Sequence, residues 1–246
     1  MNFTYSAYTD LVRLLQKTGY VVTNYDAYAE HTRCVILRHD VDNSLEKAYA
    51  LARTEHQIGG VISTYFIMLT SGFYNVFSLK GMKMLDSILS CGHEIGLHFD
   101  EVRYPEAMGN AEAIREKILL EADTLSRAVG RPVTKVSMHR PSKNILESNL
   151  TIPGMVNTYS EKFFREFKYL SDSRRRWREP VEEIISEQRY ERLQILLHPF
   201  WYYEKETDLK ESVAFFINSA NLERYDELND NLSNLSEILN RDEVHV

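Results

Sequence analysis

The stretch Cys34-Val35-Ile36-Leu37-Arg38-His39-Asp40-Val41-Asp42 runs four apolar residues directly into a cation, an imidazole and two carboxylates. A short continuous apolar run is how a strand covered on both faces looks in sequence. The charged tail then belongs at that strand's carboxyl end, where α/β folds bind their ligands. Asp40 and Asp42 stand two residues apart, so on an extended backbone both carboxylates enter one site. Two carboxylates that close repel, and a divalent cation keeps both ionised. One can then hold the metal while the other takes a proton from water. The local alternative is that Asp42 caps the next helix and Asp40 pairs with Arg38.

The alternation of short apolar runs with longer amphipathic ones continues from about residue 30 to residue 200, the signature of repeated βα units. Strands are expected at Cys34–Leu37, Val61–Ile67, Glu94–Leu97, Val133–Met138, Phe167–Leu170 and Leu193–Leu197. Between them, Leu79, Met82, Leu85, Ile88 and Leu89 recur at helical spacing until Gly92, and Ile114, Ile118, Ala122, Leu125 and Val129 do so until Gly130 and Pro132. Asn43 and Glu46 resemble a capping box for the helix after Asp42. Gly92 and Gly96 permit close approach or unusual dihedrals, whereas Gly72 and Gly81 suggest only turns. A helix carrying Tyr8, Leu11, Leu14 and Leu15, then Gly19-Tyr20-Val21-Val22, leads in. Beyond residue 205 the chain turns polar and helical; Leu228, Leu232, Leu235 and Leu239 form either a short coiled-coil seam or, as favoured here, one face of a helix packed on its own domain. The pattern predicts one α/β domain over residues 1–246. Six or more such units in one uninterrupted chain favour a barrel or a wound sheet, with a core at about 33–205 and both terminal helical segments packed on it.

Five of the six apolar runs end in chemistry. The third is followed by His98-Phe99-Asp100, the fourth by His139-Arg140-Pro141, the fifth by Ser171-Asp172-Ser173 and the last by His198-Pro199-Phe200-Trp201. His93 and His98 are five apart, which sends them to opposite faces of a regular strand; His98 lies at the rim, His93 at the entry, where a local backbone bond is expected. His139 is a rim group too, or a buried histidine bonded to backbone. Arg140 offers a rigid fork of donors. His198 can protonate a leaving group if a carboxylate such as Asp172 orients it. Trp201, Tyr65 and Trp177 offer planar faces that suit a sugar ring, or else pack the barrel wall.

Composition narrows the classes. The 246 residues include 29 Lys and Arg against 36 Asp and Glu, a net charge of −7, which argues against a nucleic-acid partner; Arg174-Arg175-Arg176 is too short a run to reverse that. Cys34 and Cys91 lack metal or disulfide spacing and read as reduced thiols. No window is apolar enough to span a bilayer, and Met1-Asn2-Phe3-Thr4-Tyr5 begins no export signal. A cytoplasmic protein is expected. Metal chemistry falls to carboxylates and eight histidines, of which His31, His56 and His245 need no function.

The ordered set Leu37-Arg38-His39-Asp40-Val41-Asp42, Thr64-Tyr65-Phe66, Gly92-His93-Glu94-Ile95-Gly96-Leu97-His98, His139-Arg140-Pro141, Leu170-Ser171-Asp172-Ser173 with Trp177, and Leu196-Leu197-His198-Pro199 resembles the polysaccharide deacetylases of carbohydrate esterase family 4, in a divergent subgroup. The matches span about residues 33 to 201 in the family's order. The resemblance implies a distorted (β/α) barrel of about seven parallel strands and metal-dependent removal of an acetyl group from an N-acetylated sugar or glycan precursor. By position, Asp40 looks like the general base, Asp42 and His98 like metal ligands and His198 like the acid. Arg140 and Asp172 resemble the supporting arginine and the aspartate that tunes the acid. The implied cofactor is a divalent metal, zinc first, with cobalt, manganese or nickel as alternatives.

Two departures stand out. Val41 separates aspartates that are adjacent in the family, leaving open which one binds metal, and Val102 occupies the place of a second-motif histidine. His139 is the leading substitute third ligand, with Asp100 and His93 behind it. The expected activity is hydrolysis of a sugar N-acetyl group in cytoplasmic surface-polysaccharide synthesis, such as that of lipopolysaccharide or capsule; a homo-oligomer is compatible with it. The alternatives are an inactive glycan-binding barrel and a hydrolase of a non-sugar amide.

Overall fold

The computed structural model describes residues 1–244; His245 lies outside the described residues. The strands are β1 (Val21–Thr23), β2 (Cys34–Val41), β3 (Thr64–Ile67), β4 (Glu94–Phe99), β5 (Lys135–Met138), β6 (Val156–Asn157), β7 (Lys168–Ser171) and β8 (Arg192–Leu197). Every pairing is parallel, in the order β6-β5-β4-β3-β2-β8-β7. β1 pairs with the first residues of β2 while β3 pairs with the last. Seven strands thus form a curled half-barrel, with β1 as a short eighth.

The curl can be read from one side chain. A flat sheet would separate β2 from β6, four strands away, by about 19 Å at about 4.8 Å per strand. Yet Arg38 on β2 reaches Thr158, just past β6, at 3.0 Å.

Helices α1 (Tyr5–Lys17), α2 (Leu45–Ile58), α3 (Leu79–Ser90), α4 (Ala111–Val129), α5 (Lys143–Glu147), α6 (Glu161–Glu166) and α7 (Val181–Ser186) belong to the same unit, Met1–Glu204. Strand alternation sorts the core into layers. Outward residues Val41, Ile67, Leu97, Phe99 and Val136 pack with α2, α3 and α4. Val35, Leu37, Leu193, Ile195 and Leu197 pack with α1 and α7. Inside the curl, Cys34, Ile36, Phe66, Tyr25, Phe163 and Phe167 close the floor. Gly96 makes room for it, since a Cβ there would stand 2.5 Å from the Phe66 ring.

Four local expectations need correction. The cap of α2 is Ser44, which accepts from the Lys47 N–H, rather than Asn43; starting one residue later leaves no Glu at the position a capping box requires. Gly81 sits inside the first turn of α3, where a Cβ would stand 2.1 Å from the Asn75 carbonyl oxygen, so it serves close approach as well as the turn. The apolar run at Val61 becomes strand only at Thr64. The leucine series 228–239 is split between α8 (Leu209–Asn229) and α9 (Leu235–Ile238), so no continuous seam exists. The segment from Lys205 onward is a second compact unit, whose α8 begins with a capping box of Asp208 and Glu211. No helix among the described residues is long and apolar enough to cross a membrane.

Candidate metal centre and flanking groups

The inward face of β2 reads Cys34, Ile36, Arg38, Asp40 and then Asp42, from apolar floor to polar rim. Arg38 is wholly buried. Its Nε and Nη2 donate to the two oxygens of Asp40 at 3.0 and 2.8 Å, and it also donates to Ser137 Oγ, Thr158 Oγ1 and the Tyr159 hydroxyl. Burial alone would raise the Asp40 carboxyl, but the Arg38 guanidinium and the nearby His98 outweigh it and lower the pKa. Asp40 therefore stands ionised and fixed, the state a base requires.

One layer above, Asp42 Oδ1, His98 Nε2 and His139 Nδ1 converge. The two imidazole nitrogens lie 3.1 and 3.3 Å from the carboxylate oxygen and 3.1 Å from each other. Ligands held tetrahedrally about 2.0–2.1 Å from a zinc ion would be about 3.3 Å apart, so the triangle has the size of such a face. Donor bookkeeping agrees. Ser137 Oγ has one proton, which goes to Asp40 Oδ1 at 3.0 Å, because a carboxylate can only accept. His98 Nδ1, 2.8 Å from the same hydroxyl oxygen, must then be the donor, which leaves a lone pair on His98 Nε2 facing Asp42. Buried Asp42 Oδ1 has no hydrogen-bond partner despite its two close nitrogens. A cation there would be held by the Asp42 oxygen, the lone pair of His98 Nε2 and, in the tautomer that leaves it unprotonated, His139 Nδ1.

His139 reaches the centre because its backbone N–H bonds the Phe99 carbonyl, carrying the β4–β5 ladder one residue past Met138. Imidazoles from neighbouring strand ends then meet edge to face. Across the mouth, His198 Nδ1 lies 2.6 Å from Asp172 Oδ1. Asp172 is wholly buried and also accepts the His198 backbone N–H and the Tyr202 hydroxyl. Burial would lower the His198 pKa, but Asp172 dominates and pushes it up to about 9, so the imidazole keeps both protons at neutral pH. That makes it a proton donor.

Asp40, Asp42, His98, His139, His198 and Asp172 are therefore gathered at one end of the sheet. Arg140 stands apart: it is exposed with φ 48° and has no hydrogen bond or ion pair among the described residues, and the arginine that holds Asp40 is Arg38. Tyr65 is wholly buried and its hydroxyl donates to Glu55 at 2.7 Å, so its ring offers no face to a ligand. Trp177 and Trp201 are half-buried against the α1–α7 layer. His93 bonds the Ala52 carbonyl, and Val102 is exposed in the β4–α4 loop. Ser137 and Tyr202 were not assigned roles from sequence; the pairing of Arg38 with Asp40, raised there as the local alternative, is present, and the period-two rule that joined Asp40 to Asp42 also includes Arg38.

No family model matches the chain and no curated protein does. Solved structures do. It shares 15% identity and a TM-score of 0.44 with the Xyl-CE4 domain of a multidomain xylanase from the hindgut metagenome of Trinervitermes trinervoides, over 76% of this chain and 80% of that one. A mutant carbohydrate esterase family 4 pseudoenzyme with restored activity gives 13% and 0.44, over 77% of this chain and 62% of that chain. The peptidoglycan deacetylase PdaC of Bacillus subtilis gives 13% and 0.36, over 82% and 98%. The solved chains similar to this one thus include members of the family its motifs resemble.

Proposed function

We propose that this chain is a metal-dependent hydrolase that removes an N-acetyl group from an amino sugar in the cytoplasmic synthesis of a surface polysaccharide. The observation that carries the proposal is the convergence of Asp42, His98 and His139 between an ionised carboxylate, Asp40, and a protonated imidazole, His198. A zinc-like cation bound to those three residues would acidify water and polarise an amide carbonyl. Asp40, held by Arg38 and Ser137, accepts the proton of the attacking water. His198, oriented by Asp172, donates to the departing nitrogen. Ser137 fixes the ring of His98 and the position of Asp40 together.

The test is metal content and acetate release by the purified full chain. One zinc per chain and release of acetate from an N-acetylated amino sugar are expected. If no metal co-purifies, and zinc, cobalt, manganese and nickel change neither melting temperature nor acetate release, the proposal fails. Binding of an acetylated sugar without release, unaffected by Asp40→Asn, would instead favour an inactive glycan-binding barrel.

A further inference from the structure

Four exposed arginines at the mouth take no part in the chemistry above. Arg174, Arg176 and Arg178 follow Asp172 on the β7–α7 loop, and Arg140 follows His139. None of them forms an ion pair among the described residues. The carboxylates that could neutralise them are committed elsewhere: Asp172 to His198, Glu179 to Lys168 and Glu147 to Lys143. A guanidinium without a counter-charge attracts anions, and these four stand out in a chain that as a whole is acidic, at −7. The backbone is also strained there. Arg140, Arg174 and Arg175 have φ of 48°, 60° and 55°, a left-handed conformation that costs a non-glycine residue about 1–3 kcal/mol. The neighbouring Arg175 is engaged, its guanidinium 5.6 Å from the Phe3 ring centre.

We propose that these arginines form a phosphate-binding subsite, so that the substrate is an acetylated sugar carrying a phosphate or diphosphate ester. This rests on the hydrolase reading and adds the substrate's second recognition element. The reach is right. Arg140 is the next residue after His139, and Arg174 lies two residues, at most about 7 Å of chain, past Asp172, so each loop carries an arginine whose backbone stands beside a strand end that holds the site. Guanidinium is the side chain whose planar fork matches phosphate oxygens. The carboxylates of the mouth, Asp40, Asp42 and Asp172, are buried or half-buried, leaving the arginines to face solvent. A phosphate could come from a nucleotide or from a lipid carrier, and the chemistry recognised is the same.

The experiment is calorimetric titration of the EDTA-treated full chain, in which no cation is left to bind phosphate, with N-acetylglucosamine 1-phosphate and with N-acetylglucosamine at low salt. At least about tenfold tighter binding of the phosphorylated sugar is expected. That preference should disappear in Arg174→Gln/Arg176→Gln, which should keep the native melting temperature, and persist in Arg131→Gln, an exposed arginine before β5. Equal binding of the two sugars, or equal loss in both variants, overturns the subsite. Uridine diphosphate and prenyl diphosphate conjugates of the same sugar distinguish a nucleotide source from a lipid one. Acetate release from the neutral sugar by the zinc-loaded chain is read separately, so failure of the subsite and failure of the hydrolase reading remain distinct results.

Discussion

Two clusters in this molecule are built from one carboxylate and two histidines, and their environments differ. Glu55 on α2, behind the sheet, sits with His39 and His93, while Asp42 at the mouth sits with His98 and His139. Glu55 is wholly buried and receives the hydroxyls of Ser63, Tyr65 and Tyr8 as well as His39 Nε2 at 2.9 Å. Burial would raise its carboxyl, but His39, His93 and Tyr8 outweigh it and bring it down to about 2. Asp42 Oδ1 has two nitrogens near it and no hydrogen bond. The same residue types thus tie a helix to a sheet where hydroxyl donors surround them, and leave room for a cation where donors are withheld.

The largest expected effect comes from the mouth. Asp42→Asn should remove the bound metal and lower acetate release by more than about 100-fold, without lowering the melting temperature of the metal-free protein. A loss of stability like that of the Glu55 cluster would make both clusters structural and collapse the distinction. Glu55→Ala leaves the buried hydroxyls of Ser63, Tyr65 and Tyr8 and the ring of His39 without their partner and should cost about 3–5 kcal/mol in urea denaturation, with metal content unchanged.

A pH profile sharpens the same contrast. His198 has its pKa raised from 6.5 to about 9, so its contribution to stability is complete below pH 6.5 and is lost as pH rises through about 9. Activity that needs its proton should fall along the same alkaline limb. Asp172→Asn removes the charge that raises the pKa and should move that limb down, toward or below 6.5, in acetate release measured against pH. The smallest effect is expected from Ser137→Ala. Losing the acceptor that fixes the His98 tautomer should weaken zinc by about 10- to 100-fold in chelator competition, and a smaller change would show that the ring is held by packing alone.

Much of the site was legible because a strand has a period of two. That rule put Asp40 and Asp42 together, and strand ends gave His98, His139, Asp172 and His198. The resemblance was less informative about arginines: it implied Arg140 as the supporting residue, whereas the guanidinium that reaches Asp40 is Arg38, on the same strand and face. Tyr65 was read as a wall for a ligand, yet its strand turns that ring outward under α2, into the Glu55 cluster. The cap of α2 was missed by one residue because Asn43 and Ser44 are both good N-caps.

The sequence by itself determined the βα alternation, the parallel sheet and the end of it at which chemistry collects, since these follow from local periodicity and chain chirality. Only the tertiary structure decided the third member of the metal centre. His98 and His139 are 41 residues apart, and their meeting depends on the β4–β5 register and the bond from His139 N–H to the Phe99 carbonyl. Which residues supply hydrogen-bond donors to a buried carboxylate likewise depends on which strands the curl brings together, and no spacing along the chain encodes that.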